Sequence, residues 1–414
     1  MREQIEGSRA IAQTVARCRP QVVPAYPITP QTHIVEAVGA MVKAGTLAPC
    51  EFITVESEFA AMSAAIGASA AGARTYTATA SQGLLYMAEA LFNASGMGLP
   101  VVMTVANRAI GAPINIWNDH SDSMSQRDCG WIQLYAEDNQ AAVGLHVIAF
   151  RLAEELSLPV MVCVDGFVLT HAVEPIEVPA ADVVDGYLPP FHPRQVLDPD
   201  DPITIGAMVG PEAFTEVRYL AHHQLNRALD RMPELAAEYA VASGYEVSAL
   251  SKYLVDGARV VIVTLGSVSG TIKDALDEVV DDGVGLVTIT LYRPFPADEI
   301  RTALAGADHV IVLERAFAPG AGGVVASDVG AALAGLPIRV STVIAGLGGR
   351  AVTKASVRRV VDDAKADRLP SLSFLDLRTD VIDHELARQT EADRPGPQTQ
   401  ALLRTAGVPA SRIG

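Results

Sequence analysis

The chain has 414 residues, half of them hydrophobic and 19% charged, which excludes disorder over most of its length and suffices for roughly two to four domains. Lys and Arg number 31 against 48 Asp and Glu, a formal net charge of -17. Such a surface repels phosphate backbones and anionic lipid, so neither nucleic-acid nor membrane binding is expected. No apolar run reaches the ~18–20 residues that a spanning helix needs. The first 20 residues read as a helix rather than a leader, and the expected location is the cytoplasm. The four cysteines, Cys18, Cys50, Cys129 and Cys163, are scattered without a C-x-x-C. The expectation is reduced, mostly buried thiols, with no zinc ribbon or iron–sulfur site on this chain.

In chain order, residues 21–30 form a short β-branched run ending in a Pro-punctuated turn. A helix follows, with an apolar stripe at Ile34, Val35, Val38, Met41 and Val42, stopping near Gly45. Residues 51–56 read as a strand and 57–73 as a helix of small residues. Strand 74–81 leads into one helix over 84–98. Residues 100–109 are a buried strand followed by a long polar loop, then a helix over 138–156 and a strand over 159–169. Seven prolines between 175 and 202 mark 172–205 as an extended connector without regular structure. Residues 211–240 are helical. A second alternating unit begins near Gly257, with strands in 258–265, 284–296, 308–314 and 338–344, and the tail after about 370 is polar. Strand–helix alternation of this kind specifies an α/β fold with parallel sheets covered on both faces.

No dinucleotide fingerprint, P-loop, G-x-S-x-G or H-E-x-x-H is present. Gly266 and Gly270 flank a strand-to-helix turn with the wrong spacing for a nucleotide, and His222-His223 sits on a helix. Four segments stand out instead: AYPITPQT (25–32), TVESEFAAMSAAIGAS (54–69), TATASQG (77–83) and ANRAIGAPINIWNDHSDSMSQRDCGW (106–131). Each starts at the carboxyl end of an expected strand, the edge where open α/β sheets bind ligands. A carboxylate, two hydroxyls, an arginine and a polar loop can therefore converge on one crevice.

In this order and spacing the four segments resemble the α subunit of the 2-oxoacid:ferredoxin oxidoreductases, of which pyruvate:ferredoxin oxidoreductase is the best-known member. The turn Arg293-Pro294-Phe295-Pro296 also looks like the C-terminal domain of transketolase-type chains. Ser121 stands where many members carry Gln, and Cys129 where Thr is common. The resemblance spans roughly residues 5–365. It implies a thiamine-enzyme pyrimidine-binding parallel-sheet domain over 1–240, containing the connector at 172–205. A transketolase C-terminal-like α/β domain over 241–370 and a tail over 371–414 complete the chain.

The resemblance also implies a cofactor and roles. In thiamine enzymes a carboxylate bonds N1′ of the aminopyrimidine and favours the imino tautomer, whose N4′ takes the C2 proton. Glu58 matches that position, with Glu56 as the alternative; an acid there also suits the helix dipole. Thr29 matches the threonine at the substrate's carboxylate end, although a threonine so placed also suits a helix N-cap. Arg108 matches the arginine that faces the 2-oxoacid carboxylate, a two-point partner for a guanidinium; a surface ion pair is the plain alternative. Tyr26 and Gln82 are expected near the pyrimidine. Loop 111–128 is left between shaping the pocket and meeting a partner, and His120 carries no acid–base expectation.

Thiamine enzymes hold the diphosphate and Mg²⁺ through G-D-G and a later Asn. The closest match is Asp165-Gly166, with no Asn in the following 50 residues. No metal ligand is therefore expected here, and a partner β subunit is expected to hold the diphosphate and Mg²⁺. The resemblance further implies 4Fe-4S clusters on partner subunits, a ferredoxin-like δ and a γ chain, coenzyme A as acyl acceptor, and ferredoxin or an NAD-linked acceptor. A non-oxidative thiamine enzyme (transketolase-like or decarboxylase) and an aryl or branched-chain 2-oxoacid oxidoreductase stay open as alternatives.

Overall fold

A computed structural model describes residues 2–278, 283–391, 396 and 399–409. The N-terminal part lays down β1 (Glu3–Glu6), β2 (Val22–Ala25), β3 (Glu51–Thr54), β4 (Thr75–Thr79), β5 (Val101–Asn107), β6 (Ile132–Tyr135), β7 (Val160–Asp165) and β8 (Val173–Ile176). The C-terminal part adds β9 (Leu250–Tyr253), β10 (Val260–Thr264), β11 (Val284–Ile289), β12 (Leu291–Arg293), β13 (His309–Glu314), β14 (Arg339–Ile344) and β15 (Leu372–Phe374). One sheet runs β12-β6-β7-β5-β4-β2-β3 and a second runs β15-β14-β13-β10-β11-β9, while β1 and β8 form a separate ribbon. Both large sheets are parallel except at one edge, where β12 and β9 run antiparallel to their neighbours.

The central strands are continuous apolar runs because both faces are covered. Every residue of β5 and β10 is buried. On one face of the first sheet, Ile11, Val15, Ile34 and Val38 pack with Phe150, Met232 and Tyr239. On the other face, Met62, Leu84, Leu91 and Trp131 share one apolar cluster with Val263, Val287, Val310 and Val325 of the second unit. The two sheets are thus joined through a common core, with Trp131 fully buried and its indole N–H donating to the Leu91 carbonyl at 2.9 Å.

Several elements depart from expectation. A strand, β1, precedes the first helix, which is Gly7–Arg17. The region taken as polar loop contains β6, buried because it lies between β7 and β12. The helix expected over 84–98 is two helices, Ser81–Tyr86 and Ala88–Gly96. Residues 284–296 form two strands, and the second, β12, leaves its own unit to close the edge of the first sheet. The connector 172–205 is partly regular, holding β8 and the helix Ala181–Tyr187. Pro175 is tolerated because β8 pairs only with β1, so its missing N–H costs no ladder bond on the open side. The tail contributes β15 and the helices Thr379–Glu391 and Thr399–Thr405.

Burial pushes the thiols of Cys18 and Cys129 up to about 12 and that of half-buried Cys50 to about 11, while Cys163 rises well above the ordinary value. A thiolate is needed for reaction. With Ellman's reagent at about pH 8, the native chain is expected to release at most about one equivalent within minutes, and four after denaturation. Rapid release of two or more from the native chain would contradict this burial.

Candidate active site

The four singled-out segments do meet at the carboxyl edge of the first sheet. The turn after β2 is held by Gln31, whose buried amide donates to the carbonyls of Tyr26 at 2.8 Å and Ala78 at 3.2 Å. The helix Thr32–Lys43 starts with Gln31 at its N-cap and no side-chain capping bond, so Thr29 does not cap it. Thr29 is exposed, and its carbonyl accepts Arg108 Nη1 at 2.8 Å. Arg108 Nε donates to the Asn115 carbonyl at 3.2 Å. Among the described residues Arg108 has no carboxylate ion pair, which sets aside the plain surface-pair reading. Burial lowers its pKa, opposed by nearby Asp122. A guanidinium in this state remains charged and lacks an anionic partner.

Glu58 opens the helix Glu58–Ala70, whose N-cap Ser57 hydroxyl accepts the Ala60 N–H at 3.1 Å. The residue is 8% exposed, and among the described residues its carboxylate has neither a hydrogen-bond nor an ion-pair partner. A Cβ on Gly83 would lie 2.6 Å from Glu58 Oε1 and 2.6 Å from Thr79 Oγ1, so glycine in the first turn of the helix Ser81–Tyr86 leaves the carboxylate and the hydroxyl their present places. The Thr79 hydroxyl is buried and also without a partner. Leaving a carboxylate and a hydroxyl unpaired in a buried setting is costly. The helix dipole accounts for an acid in the first turn, not for one pressed against Gly83 and an orphan hydroxyl. Glu56, the alternative, is exposed.

Tyr26 and Gln82 are the other two expected cofactor contacts. Tyr26 is 37% exposed. Gln82 Oε1 accepts the Ser81 hydroxyl, and its amide lies against Gly111, where a Cβ would come within 2.6 Å of Nε2. No hydrogen bond joins either side chain to Glu58 among the described residues.

Loop 111–128 proves to be a bracket between the sheets. Asp122 is fully buried and accepts the N–H groups of Ser81 at 2.9 Å, Arg108 at 3.0 Å and Ser123 at 2.8 Å, and the Asn107 amide at 2.7 Å. Burial pushes its carboxyl up to about 6 against the pull of those bonds. It thereby ties the segment bearing Arg108 to the start of the helix bearing Gly83, a part that nothing in the loop's composition distinguished from its neighbours. Toward the second unit, the Asn115 amide donates to the Gly348 carbonyl at 3.1 Å, and Asp119 accepts the Gly348 N–H at 3.0 Å.

Asp165, the nearest approach to G-D-G, is engaged elsewhere. Its buried carboxylate meets His120 Nε2 at 2.6 Å, Arg315 Nη1 at 3.1 Å, and both the N–H and hydroxyl of Ser267. Burial alone raises this carboxyl, but Arg315, His120 and Ser267 together hold it well below the usual range. His120 is therefore a structural histidine in a hydrogen-bonded cluster between the two units. Gly266, at φ 72, brings its backbone against that ring; a Cβ there would meet His120 at 3.0 Å.

Comparison with known proteins assigns the class. Residues 13–237 match the family model for pyruvate flavodoxin/ferredoxin oxidoreductase, thiamine diphosphate-binding, and residues 258–357 match pyruvate:ferredoxin oxidoreductase core domain II. The chain belongs to this family, and so is an enzyme subunit of thiamine diphosphate-dependent 2-oxoacid:ferredoxin oxidoreductase type. It is 43% identical over 390 residues to pyruvate synthase subunit PorA of Methanosarcina barkeri, covering 91% of this chain and 97% of the relative. The PorA subunit of Thermotoga maritima is 40% identical over 369 residues, 87% of this chain and 93% of that one. Ketoisovalerate oxidoreductase subunit VorA of Pyrococcus abyssi is 38% identical over 367 residues, with the same two shares. Among solved structures, a 2-oxoglutarate:ferredoxin oxidoreductase from Magnetococcus marinus shares the fold with a TM-score of 0.64 at 21% identity, over 87% of this chain and 65% of that one.

The residues at the edge fit the pyrimidine end of thiamine diphosphate. An unpaired carboxylate, an orphan hydroxyl and a glycine that keeps backbone close are what a nitrogen heterocycle needs. Among the described residues, no helix is long and apolar enough to cross a membrane.

Proposed function

We propose that this chain is the subunit of a pyruvate oxidoreductase that contributes the aminopyrimidine half of the thiamine site and the grip on the 2-oxoacid. The observation that carries the reading is the buried, unpartnered Glu58 carboxylate over Gly83, on the same sheet edge as Arg108 and Thr29. When bound, the cofactor supplies the nucleophilic carbon that adds to the 2-oxo group and accepts the electrons left by loss of CO₂. Glu58 holds the proton at N1′ of the pyrimidine. Arg108, its Nη1 and Nε oriented by the Thr29 and Asn115 carbonyls, offers its remaining N–H groups to the substrate carboxylate, and the exposed Thr29 hydroxyl reaches the same end. Tyr26 and Gln82 line the approach to the pyrimidine.

Pyruvate is proposed as substrate because relatives across most of the length are named pyruvate synthase subunits. A partner β subunit holds the diphosphate and Mg²⁺. Partner β, γ and δ subunits complete the cytoplasmic complex with 4Fe-4S clusters, passing electrons to ferredoxin and the acyl group to coenzyme A. The division into 1–240, 241–370 and 371–414 is proposed with β12 exchanged onto the first sheet.

Arg108→Ala, assayed in the co-purified complex, is expected to lower kcat/KM for the 2-oxoacid by roughly 30- to 1,000-fold, about 2–4 kcal/mol for a lost charged contact. The loss should fall mainly on KM. An unchanged kcat/KM would remove Arg108 from the substrate site. Iron–sulfur absorbance of the complex separates this reading from a non-oxidative thiamine enzyme.

A further inference from the structure

Away from the catalytic edge, three ligating side chains from separate elements meet beside the β1–β8 ribbon. Glu6 ends β1, His33 stands in the first turn of the helix Thr32–Lys43, and His171 lies just before β8. Their candidate ligand atoms all lie within 4.8 Å of one another. His33 Nδ1 is 2.6 Å from Glu6 Oε1, and the two imidazole rings are 4.7 Å apart between centroids.

His171 is fixed in place by its surroundings. Its Nδ1 lies 2.7 Å from the Thr170 hydroxyl, which also accepts the Phe167 N–H at 2.8 Å. The Phe167 ring packs on His171 at 4.7 Å and on Trp117 at 4.8 Å. Phe167 reaches that place with φ at 62, a conformation that an aromatic residue adopts only under constraint. One imidazole nitrogen engaged by a neighbouring hydroxyl, and the ring orientation set, is how proteins prepare a ligating histidine.

Two imidazoles and a carboxylate make a donor set suited to divalent transition metals, zinc foremost. We propose that Glu6, His33 and His171 form a binding site for a zinc-type divalent cation, separate from the thiamine site. Bonds of about 2.0–2.2 Å place tetrahedral ligands roughly 3.3–3.6 Å apart, so the Glu6–His33 pair opens from 2.6 Å by about an ångström, and the widest separation, at most 4.8 Å, closes by about as much, through side-chain rotation. The exposed His33 ring has that freedom. Water completes the shell. Arg9 lies 3.6 Å from Glu6 Oε2 and leaves Oε1 for the ion. The site has a mechanical consequence. His33 follows the Thr29 turn by four residues, and Gly166, next to Phe167, sits so close to that turn that a Cβ would be 2.6 Å from Pro30 Cγ. A bound ion therefore ties the N-terminal ribbon to the helix that leaves the Thr29 turn.

The test is titration of the full chain, after chelator treatment, with Co²⁺ as a spectroscopic probe and Zn²⁺ as competitor. The expected result is about one Co²⁺ per chain with visible ligand-field bands, displaced by Zn²⁺, and a higher Tm in the metal. His33→Ala and His171→Ala are each expected to weaken binding at least about tenfold, while His222→Ala leaves it unchanged. No uptake by the parent chain up to about 1 mM Co²⁺ overturns the proposal. So does binding that survives both single variants, or that is lost instead in His222→Ala.

Discussion

Glu58→Gln is expected to lower kcat for 2-oxoacid-dependent dye reduction by roughly 10²–10⁴-fold, the span usually found for a lost proton-transfer group, while the chain stays folded. The two halves of that expectation come from the same observation. Glu58 has no protein partner among the described residues, so removing its charge breaks no bond within the chain and relieves the cost of keeping a carboxylate out of water. Stability should be unchanged or slightly raised, as is common where a group is kept for function at the expense of the fold. Glutamine preserves the shape against Gly83 and Thr79 but cannot hold the pyrimidine N1′ in its protonated form. Glu56→Gln, at an exposed position two residues away, serves as the control and should behave as the parent. A Glu58→Gln complex with kcat within about threefold of the parent would remove Glu58 from the chemistry.

Asp165→Asn is expected to show the reverse pattern, destabilising the chain by about 3–5 kcal/mol in urea, because it leaves the buried charge of Arg315 uncompensated and weakens the hydrogen bond to the His120 ring. The cluster joins β7 of the first sheet to Ser267 and Arg315 of the second unit, so the loss should appear as weakened coupling between the units. The combined Asp165→Asn, Arg315→Met variant should recover part of the loss, since most of the single-variant penalty is the stranded guanidinium. Additive losses would show that the two residues act independently. The pH dependence has a definite sign. The Asp165 carboxyl is held below its unfolded value, so its stabilisation is complete above about pH 4 and is lost as pH falls below that. Asp122 acts oppositely. Its folded value of about 6 exceeds the unfolded one, so its contribution is present below about pH 4 and is lost as pH rises through 6.

The α/β class and the edge that carries the site were legible because periodicity and motif both point there. Continuous apolar runs such as Val101–Asn107 can only be central strands, and the polar segments that follow them fall on one edge. Glu58, Thr29 and Arg108 were visible as residue types at the ends of strands. What escaped was everything set by partners distant in sequence. Leu291–Arg293 looks like the end of its own strand, and only the open edge beside Ile132–Tyr135 draws it across. Asp122 is one of several polar residues in its loop, and its burial depends on Ser81 and Arg108 arriving from two other strands. Asp165 resembled half of a metal motif because the sequence does not reveal that Arg315, 150 residues later, occupies its carboxylate.

The most direct measurement is dye reduction by the complex purified with its partners, supplied with pyruvate, coenzyme A and a viologen, for the parent and for Glu58→Gln side by side. A complex with iron–sulfur absorbance that reduces the dye only when pyruvate is present, and loses that activity in Glu58→Gln while keeping its subunits and its colour, is the predicted result. A colourless complex, or one whose pyruvate-dependent reduction is the same with glutamine at position 58, would contradict the account.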